Sequence, residues 1–184
     1  IPLVVAVSTS LAAGNGLLIR DRTAFEAARN LEAIIFDKTG TLTEGRFGVT
    51  DTIVLSNPET ENELLHYAAA VEGHSEHPIA RGIAAAVEGP PSVKDFKSIP
   101  GKGAEGIVNG RNVKVVSPGF LRELNLEADD QRLDDLAEQG KTVVFVVIDG
   151  ELKGAIALAD IIRPESKEAI RELRKMGIKT MMLT

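Results

Sequence analysis

Ile34-Ile35-Phe36-Asp37-Lys38-Thr39-Gly40-Thr41-Leu42-Thr43 is the stretch that decides how this chain folds. Its front half, led in by Leu31-Glu32-Ala33, is a short apolar run with β-branched residues, of a length that suits a buried parallel strand. Polarity then switches abruptly, and Asp37 stands where the strand should end. In open α/β sheets, ligands and catalytic groups collect at the carboxyl ends of strands. A carboxylate there can attack phosphorus and become an aspartyl phosphate. Gly40 and the small hydroxyl residues around it leave room for backbone N–H groups to close on a phosphate. Lys38 can offset some of the incoming negative charge.

Composition narrows the alternatives. A chain of 184 residues has room for one or two domains and a sizeable core. Its 43% hydrophobic and 26% charged residues are ordinary for a globular protein. A formal net charge of −6 argues against a nucleic-acid surface, and one Tyr with no Trp leaves little for stacking bases. The absence of cysteine excludes disulfides and thiolate metal sites. The first residue is not Met and Met181-Met182-Leu183-Thr184 reads as a strand cut short, so a fragment of something longer is expected.

Working outward, residues 1–19 are mostly apolar but break at Gly14-Asn15-Gly16, short of the roughly 20 residues a spanning helix wants. A buried helix and the end of a membrane helix both fit. Arg22 to Asn30 reads as a short helix with Asp21 as its N-cap. Beyond Thr43, a Gly-rich segment leads to a strand over Val49 to Leu55 with one solvated face, then a turn at Asn57-Pro58. Helices are expected over Glu61 to Val71 and Ile79 to Val87, the second opened by Pro78. Val93 to Ile99 and the Asn109-Gly110 hairpin are strands, as is the hairpin of Thr142–Ile148 and Leu152–Leu158 around Asp149-Gly150. Gly119–Leu124 and Ala128–Glu138 read as helices, with Asp129-Asp130 and Asp134-Asp135 on a solvated face. Pro164 to Met176 is a helix, and Ile178 to Leu183 a second buried strand.

The run Asp37 to Thr43 resembles the phosphorylation signature of the P-type ATPases, ion pumps that pass through a phosphoaspartate. Their chemical cousins, the haloacid-dehalogenase-like phosphatases, carry a second Asp two places after the nucleophile as general acid and base. Here that place is Thr39, which cannot transfer protons at neutral pH. Ser75-Glu76-His77-Pro78 resembles the His-Pro signature of the nucleotide-binding domain in the heavy-metal (type IB) pumps. The resemblance implies that His77 orients ATP with Glu72 nearby, and that Gly101 and Gly103 of Gly101-Lys102-Gly103 let the backbone approach the nucleotide. His66 and His74 read as structural or surface residues. Where that family has Gly-Asn against adenine, this chain has Ser117-Pro118-Gly119, leaving Gly119 as the remnant. Ala159-Asp160-Ile161-Ile162-Arg163-Pro164 resembles the family's return crossing, and Thr184 the opening of its Thr-Gly-Asp segment. Leu11 to Arg20 is similar to the stretch after the metal-binding membrane helix, which favours the membrane reading of residues 1–20 and the copper branch.

The expected fold is α/β. A haloacid-dehalogenase-like parallel-sheet phosphorylation domain, truncated, is built from residues 21–44 and 159–184. An α+β antiparallel-sheet nucleotide-binding domain, 45–158, is inserted into it. The resemblance implies ATP and Mg²⁺ as cofactors, with Asp37, Lys38, Thr39 and Thr184 catalytic and Asp37 and Thr39 holding the metal. It also implies a place on the cytoplasmic face of a membrane pump, with membrane and actuator domains as partners and copper as cargo bound elsewhere. A soluble phosphatase and a nucleotide-binding module without turnover are the competing readings. The later acidic residues that help hold Mg²⁺ would follow Thr184, so ATP binding without turnover is expected of this chain. In the full-length parent, Thr39→Asp should supply the missing acid and shorten the phosphoenzyme lifetime. An unchanged decay of the labelled intermediate would count against the role given to Thr39.

Overall fold

The computed structural model describes residues 3–56 and 59–183, so the expected turn at Asn57-Pro58 and the site residue Thr184 lie outside the described residues. In chain order come α1 (Leu3–Gly14), α2 (Arg22–Ala27) with a single 3₁₀ turn after it, β1 (Ala33–Asp37), β2 (Thr43–Val54), α3 (Glu61–Glu72) and α4 (Pro78–Ala84). They are followed by β3 (Val93–Ile99), β4 (Gly103–Val108), β5 (Arg111–Val116), α5 (Pro118–Glu123), α6 (Gln131–Glu138), β6 (Thr142–Ile148), β7 (Glu151–Ile162), α7 (Pro164–Lys175) and β8 (Lys179–Leu183). The chain forms two compact units. One runs to Lys38 and resumes at Pro164, and the other spans Thr39–Arg163.

In the first unit β1 and β8 pair in parallel, from Ala33 opposite Lys179 to Asp37 opposite Leu183. A parallel pair needs a long crossover, and here the whole second unit and α7 lie between its strands in sequence. Asp21 caps α2 as expected, accepting from the Ala24 N–H at 3.0 Å. The strands are not the buried ones that their apolar sequence suggests. Ile35 is 62% exposed and Leu183 65% exposed, because among the described residues the sheet has only two strands. Among those residues no helix is long and apolar enough to cross a membrane.

The second unit is a six-stranded antiparallel sheet in the order β2-β7-β6-β5-β4-β3. Antiparallel sheets often leave one face to water, but β6 reads Thr-Val-Val-Phe-Val-Val-Ile without alternation. Helices explain why. Leu64 and Val71 of α3 and Ile83 of α4 pack on Val146, Ile148, Ile156 and Leu158 on one face. Leu121 of α5 and Leu133 and Leu136 of α6 pack on Phe145 and Val147 on the other. The hairpin turns fall where expected, with Asn109-Gly110 and Asp149-Gly150 at positive φ throughout.

Several elements differ from the sequence reading in extent. β2 begins at Thr43, well before Val49, because the apolar run of β7 continues to Ile162 and offers partners. Register shifts between Thr43 and Phe47 absorb Gly45, at φ +72°. The hairpin strand ahead of Asn109-Gly110 begins as early as Gly103, as β4. α6 starts at Gln131 because Asp130 caps it, its Oδ1 accepting from the Arg132 N–H at 2.9 Å. α4 stops at Ala84. The boundaries expected after residues 44 and 158 fall within β2 and β7, while the compact units divide after Lys38 and Arg163.

Gly154 is fixed by packing. A Cβ at Gly154 would lie 2.2 Å from the Ile53 carbonyl oxygen and 2.5 Å from Leu64 Cδ2. Gly154→Ala should therefore destabilise the second unit by about 1–3 kcal/mol. Gly119→Ala, whose Cβ would meet nothing closer than 4.0 Å, should be neutral or slightly stabilising. Denaturant midpoints of the two variants check this contrast, and equal midpoints would contradict it.

Candidate functional site

Glu72 is the last residue of α3, and the chain then turns through Gly73 before α4 begins. His77 caps α4 with Pro78 in its first turn, and its Nδ1 accepts from the Ile79 N–H at 3.3 Å. Ser75 Oγ accepts from the His77 N–H at 3.3 Å, so the residue is held from both sides of the cap. Across from it, the turn between β3 and β4 is closed by the Lys102 N–H donating to the Ile99 carbonyl at 2.9 Å. The Lys102 carbonyl in turn accepts from the Ser117 N–H at 2.8 Å.

These elements enclose a cavity of about 270 Å³ lined by Glu72, His77, Gly101 and Gly103 together, with Val115 and Val116 also on its wall. The sequence singles out those four separately, and the fold brings them to one place. Gly119 is not among the lining residues, and Ser117 is. The two glycines serve different ends. At Gly101, φ +71°, a Cβ would meet nothing within 4 Å, so its backbone faces open space. At Gly103, φ +144°, a Cβ would lie 2.0 Å from the Val115 carbonyl oxygen. Its glycine is demanded by the neighbouring strand as well as by any ligand.

Asp37 ends β1 and is exposed. An irregular turn, Lys38–Leu42, follows, with Thr39 extended and Gly40 at φ +79°. Beyond it lies a cluster that sequence reading misses. The buried Thr43 donates its hydroxyl to Asp160 Oδ2 at 2.5 Å and accepts from the Gly40 N–H at 3.2 Å. Asp160 Oδ1 takes the Gly45 N–H at 3.0 Å. Arg163 donates through Nε to the Thr43 carbonyl and through its backbone N–H to the Leu42 carbonyl, both at 3.0 Å. The available signal is a lone acid inside the apolar run Ala155 to Ile162, which reads in sequence only as part of a crossing. Asp37 and Lys38 belong to the first unit and the cavity to the second.

Residues 31–184 match the haloacid dehalogenase-like hydrolases, and the chain belongs to that family. Within it, the chain is 61% identical over 188 residues to a copper-exporting P-type ATPase B of Archaeoglobus fulgidus, matching all of this chain and 27% of that protein. It is 42% identical over 188 residues to the copper-exporting P-type ATPase B of Enterococcus hirae, again along all of this chain and 25% of the relative. The chain thus spans about a quarter of the length of these curated relatives. Among solved structures, a zinc-transporting PIB-type ATPase in the E2P state superposes with a TM-score of 0.71 at 34% identity, over 84% of this chain and 26% of that one. The catalytic domain of the CPx-ATPase CopB-B, solved to follow conformational changes on nucleotide binding, matches at 0.54 and 28% identity over 90% and 58%.

The cavity contains one unusual titratable group. Glu72 is only 7% exposed, and burial pushes its carboxyl up to about 7. The folded state therefore holds this proton more tightly than the unfolded chain does. Its stabilising effect is complete below the ordinary value of 4.5 and is lost as pH rises through about 7. Glu72→Gln should remove that slope and make the unit more stable above pH 7, by on the order of 2–3 kcal/mol. Urea unfolding between pH 5 and pH 8 measures it, and parallel profiles for both proteins would refute the assignment.

Proposed function

We propose that this chain is the phosphorylation and nucleotide-binding region of an ATP-driven metal pump, with copper as the exported ion. The observation that carries the reading is the single cavity assembled from Glu72, His77, Gly101 and Gly103. An apolar wall with a few convergent polar groups suits a purine base and its ribose. His77 orients the nucleotide, Glu72 supplies an acceptor for its exocyclic amine, and Gly101 leaves the backbone open to it. The inserted unit delivers the γ-phosphate to Asp37. A carboxylate oxygen of Asp37 attacks the γ-phosphorus, the bond to the bridging oxygen breaks, and ADP leaves with the electron pair. Lys38 offsets charge beside the nucleophile. Thr39, lacking a titratable acid, leaves water unactivated, so the phosphoenzyme persists long enough to drive transport.

Asp37 and Thr39 offer oxygen donors of the kind Mg²⁺ prefers. Among the described residues no group of three or more acidic, His or Cys side chains forms a cage, and these two residues would supply part of the ion's oxygen ligands. When bound, the ion neutralises charge on the phosphoryl oxygens. Membrane and actuator domains of the parent pump are the partners, and the region works on the cytoplasmic face. Thr184 contributes to the catalytic set in this reading.

In the full-length parent, ATP should label Asp37 through an acid-stable, hydroxylamine-sensitive bond. Asp37→Asn should lose the label yet keep nucleotide affinity, whereas His77→Ala should weaken ATP binding about tenfold. Label retained in the Asp37→Asn protein would end the nucleophile assignment, and unaltered affinity in His77→Ala would end the role of the cavity.

A further inference from the structure

Among the described residues lining the nucleotide cavity, Lys102 carries the one ammonium or guanidinium group. The ligand proposed for that cavity carries several negative charges, and Glu72, at the cavity's buried end, adds none of the opposite sign. Lys102 sits between Gly101 and Gly103 at the tip of the β3–β4 turn. Its side chain does not point into free solvent. Nζ is paired with the Glu123 carboxylate of α5 and lies 4.9 Å from the centre of the Phe120 ring.

Two features make this an exchangeable position. The backbone of Lys102 is pinned without any help from the side chain, by its N–H on Ile99 and its carbonyl on Ser117. The ion pair is exposed, with 40% of the Lys102 side chain and 54% of the Glu123 side chain open to water. Pairs so exposed contribute little to stability, so the ammonium can change partner at small cost. A phosphate offers the stronger contact, because its charge is larger and a lysine binds it as a point charge.

We infer that Lys102 is a phosphate-sensing residue of the nucleotide site, held by Glu123 and Phe120 and transferable to the polyphosphate of a bound nucleoside triphosphate. This rests on the nucleotide reading of the cavity given above. Glu123 and phosphate compete for one ammonium, so the affinity gained from the phosphates is set by how firmly α5 holds Lys102. The adenosine part is recognised independently, by Glu72, His77 and the glycine turn.

Titration calorimetry on the 184-residue chain with ATP and with adenosine tests this. Lys102→Met should weaken ATP roughly tenfold and leave adenosine unchanged, with Lys102→Arg retaining most of the ATP affinity. Glu123→Gln should tighten ATP about two- to threefold and leave the adenosine titration as it was. Loss of ATP affinity on added salt should be steeper in the unmodified chain than in Lys102→Met. Equal weakening of ATP and adenosine by Lys102→Met would make the residue a structural support of the turn and overturn the inference. Unchanged ATP affinity in Lys102→Met would overturn it as well. Absence of binding by either ligand to the unmodified chain would instead remove the nucleotide reading on which it rests.

Discussion

The second unit depends on the antiparallel pairing of β2 with β7, fastened at its start by Asp160. That carboxylate takes the Thr43 hydroxyl with one oxygen and the Gly45 N–H with the other, while Arg163 holds the Thr43 and Leu42 carbonyls. Every remaining strand is added to β7 in turn, so the register fixed there propagates to the β3–β4 tip. A one-residue slip would send Ile156 and Leu158 to the face occupied by α5 and α6, and Ala155 and Ala157 to the face of α3. The small residues at 154, 155 and 157 also let the backbones and helices close in on this strand, which a Cβ at Gly154 would prevent.

The cavity inherits its shape from that sheet and its chemistry from the loops at one end of it. α3 delivers Glu72 at its C-terminus and α4 delivers His77 at its N-terminus, so two short helices present opposite ends to the same space. Desolvating a carboxyl there works against stability at neutral pH, and the site retains it. A strained group kept in a cavity beside convergent polar residues is the pattern expected of a binding site. The glycine turn opposite is fastened through the backbone of Lys102, whose side chain is held by an exposed ion pair.

Much of this is legible in the sequence where a local rule governs. Asn109-Gly110 and Asp149-Gly150 require positive φ, Pro78 belongs at a helix start, and Asp21 caps its helix, each independent of distant residues. The residues lining the cavity are legible through resemblance, since nothing local brings Glu72 to within reach of Gly103. What escapes are features set by partners far along the chain. Asp160 meets Thr43 across 117 positions, and no period or propensity announces such a bond. The length of β2 escapes for the same reason, because Gly45 and Gly48 discourage a strand until β7 pairs with it. The expected burial of β1 and β8 rests on apolar composition alone, and composition does not say how many strands will cover a sheet.

Thr43 stands directly opposite Ile162 in the ladder, so the second unit leaves its fold beside the point where it began. A body closed in this way is topologically equivalent to a single tight bend. Splicing it into another protein's surface bend would separate the flanking residues no further than a short connection does, and the chain-closure entropy would be spent inside the graft. The same closure would let the unit be cut at an exposed loop tip and rejoined through its original ends as a circular permutant. Self-containment of this sort makes the unit a transferable part, able to be lengthened, trimmed or exchanged without redrawing the sheet that carries Asp37.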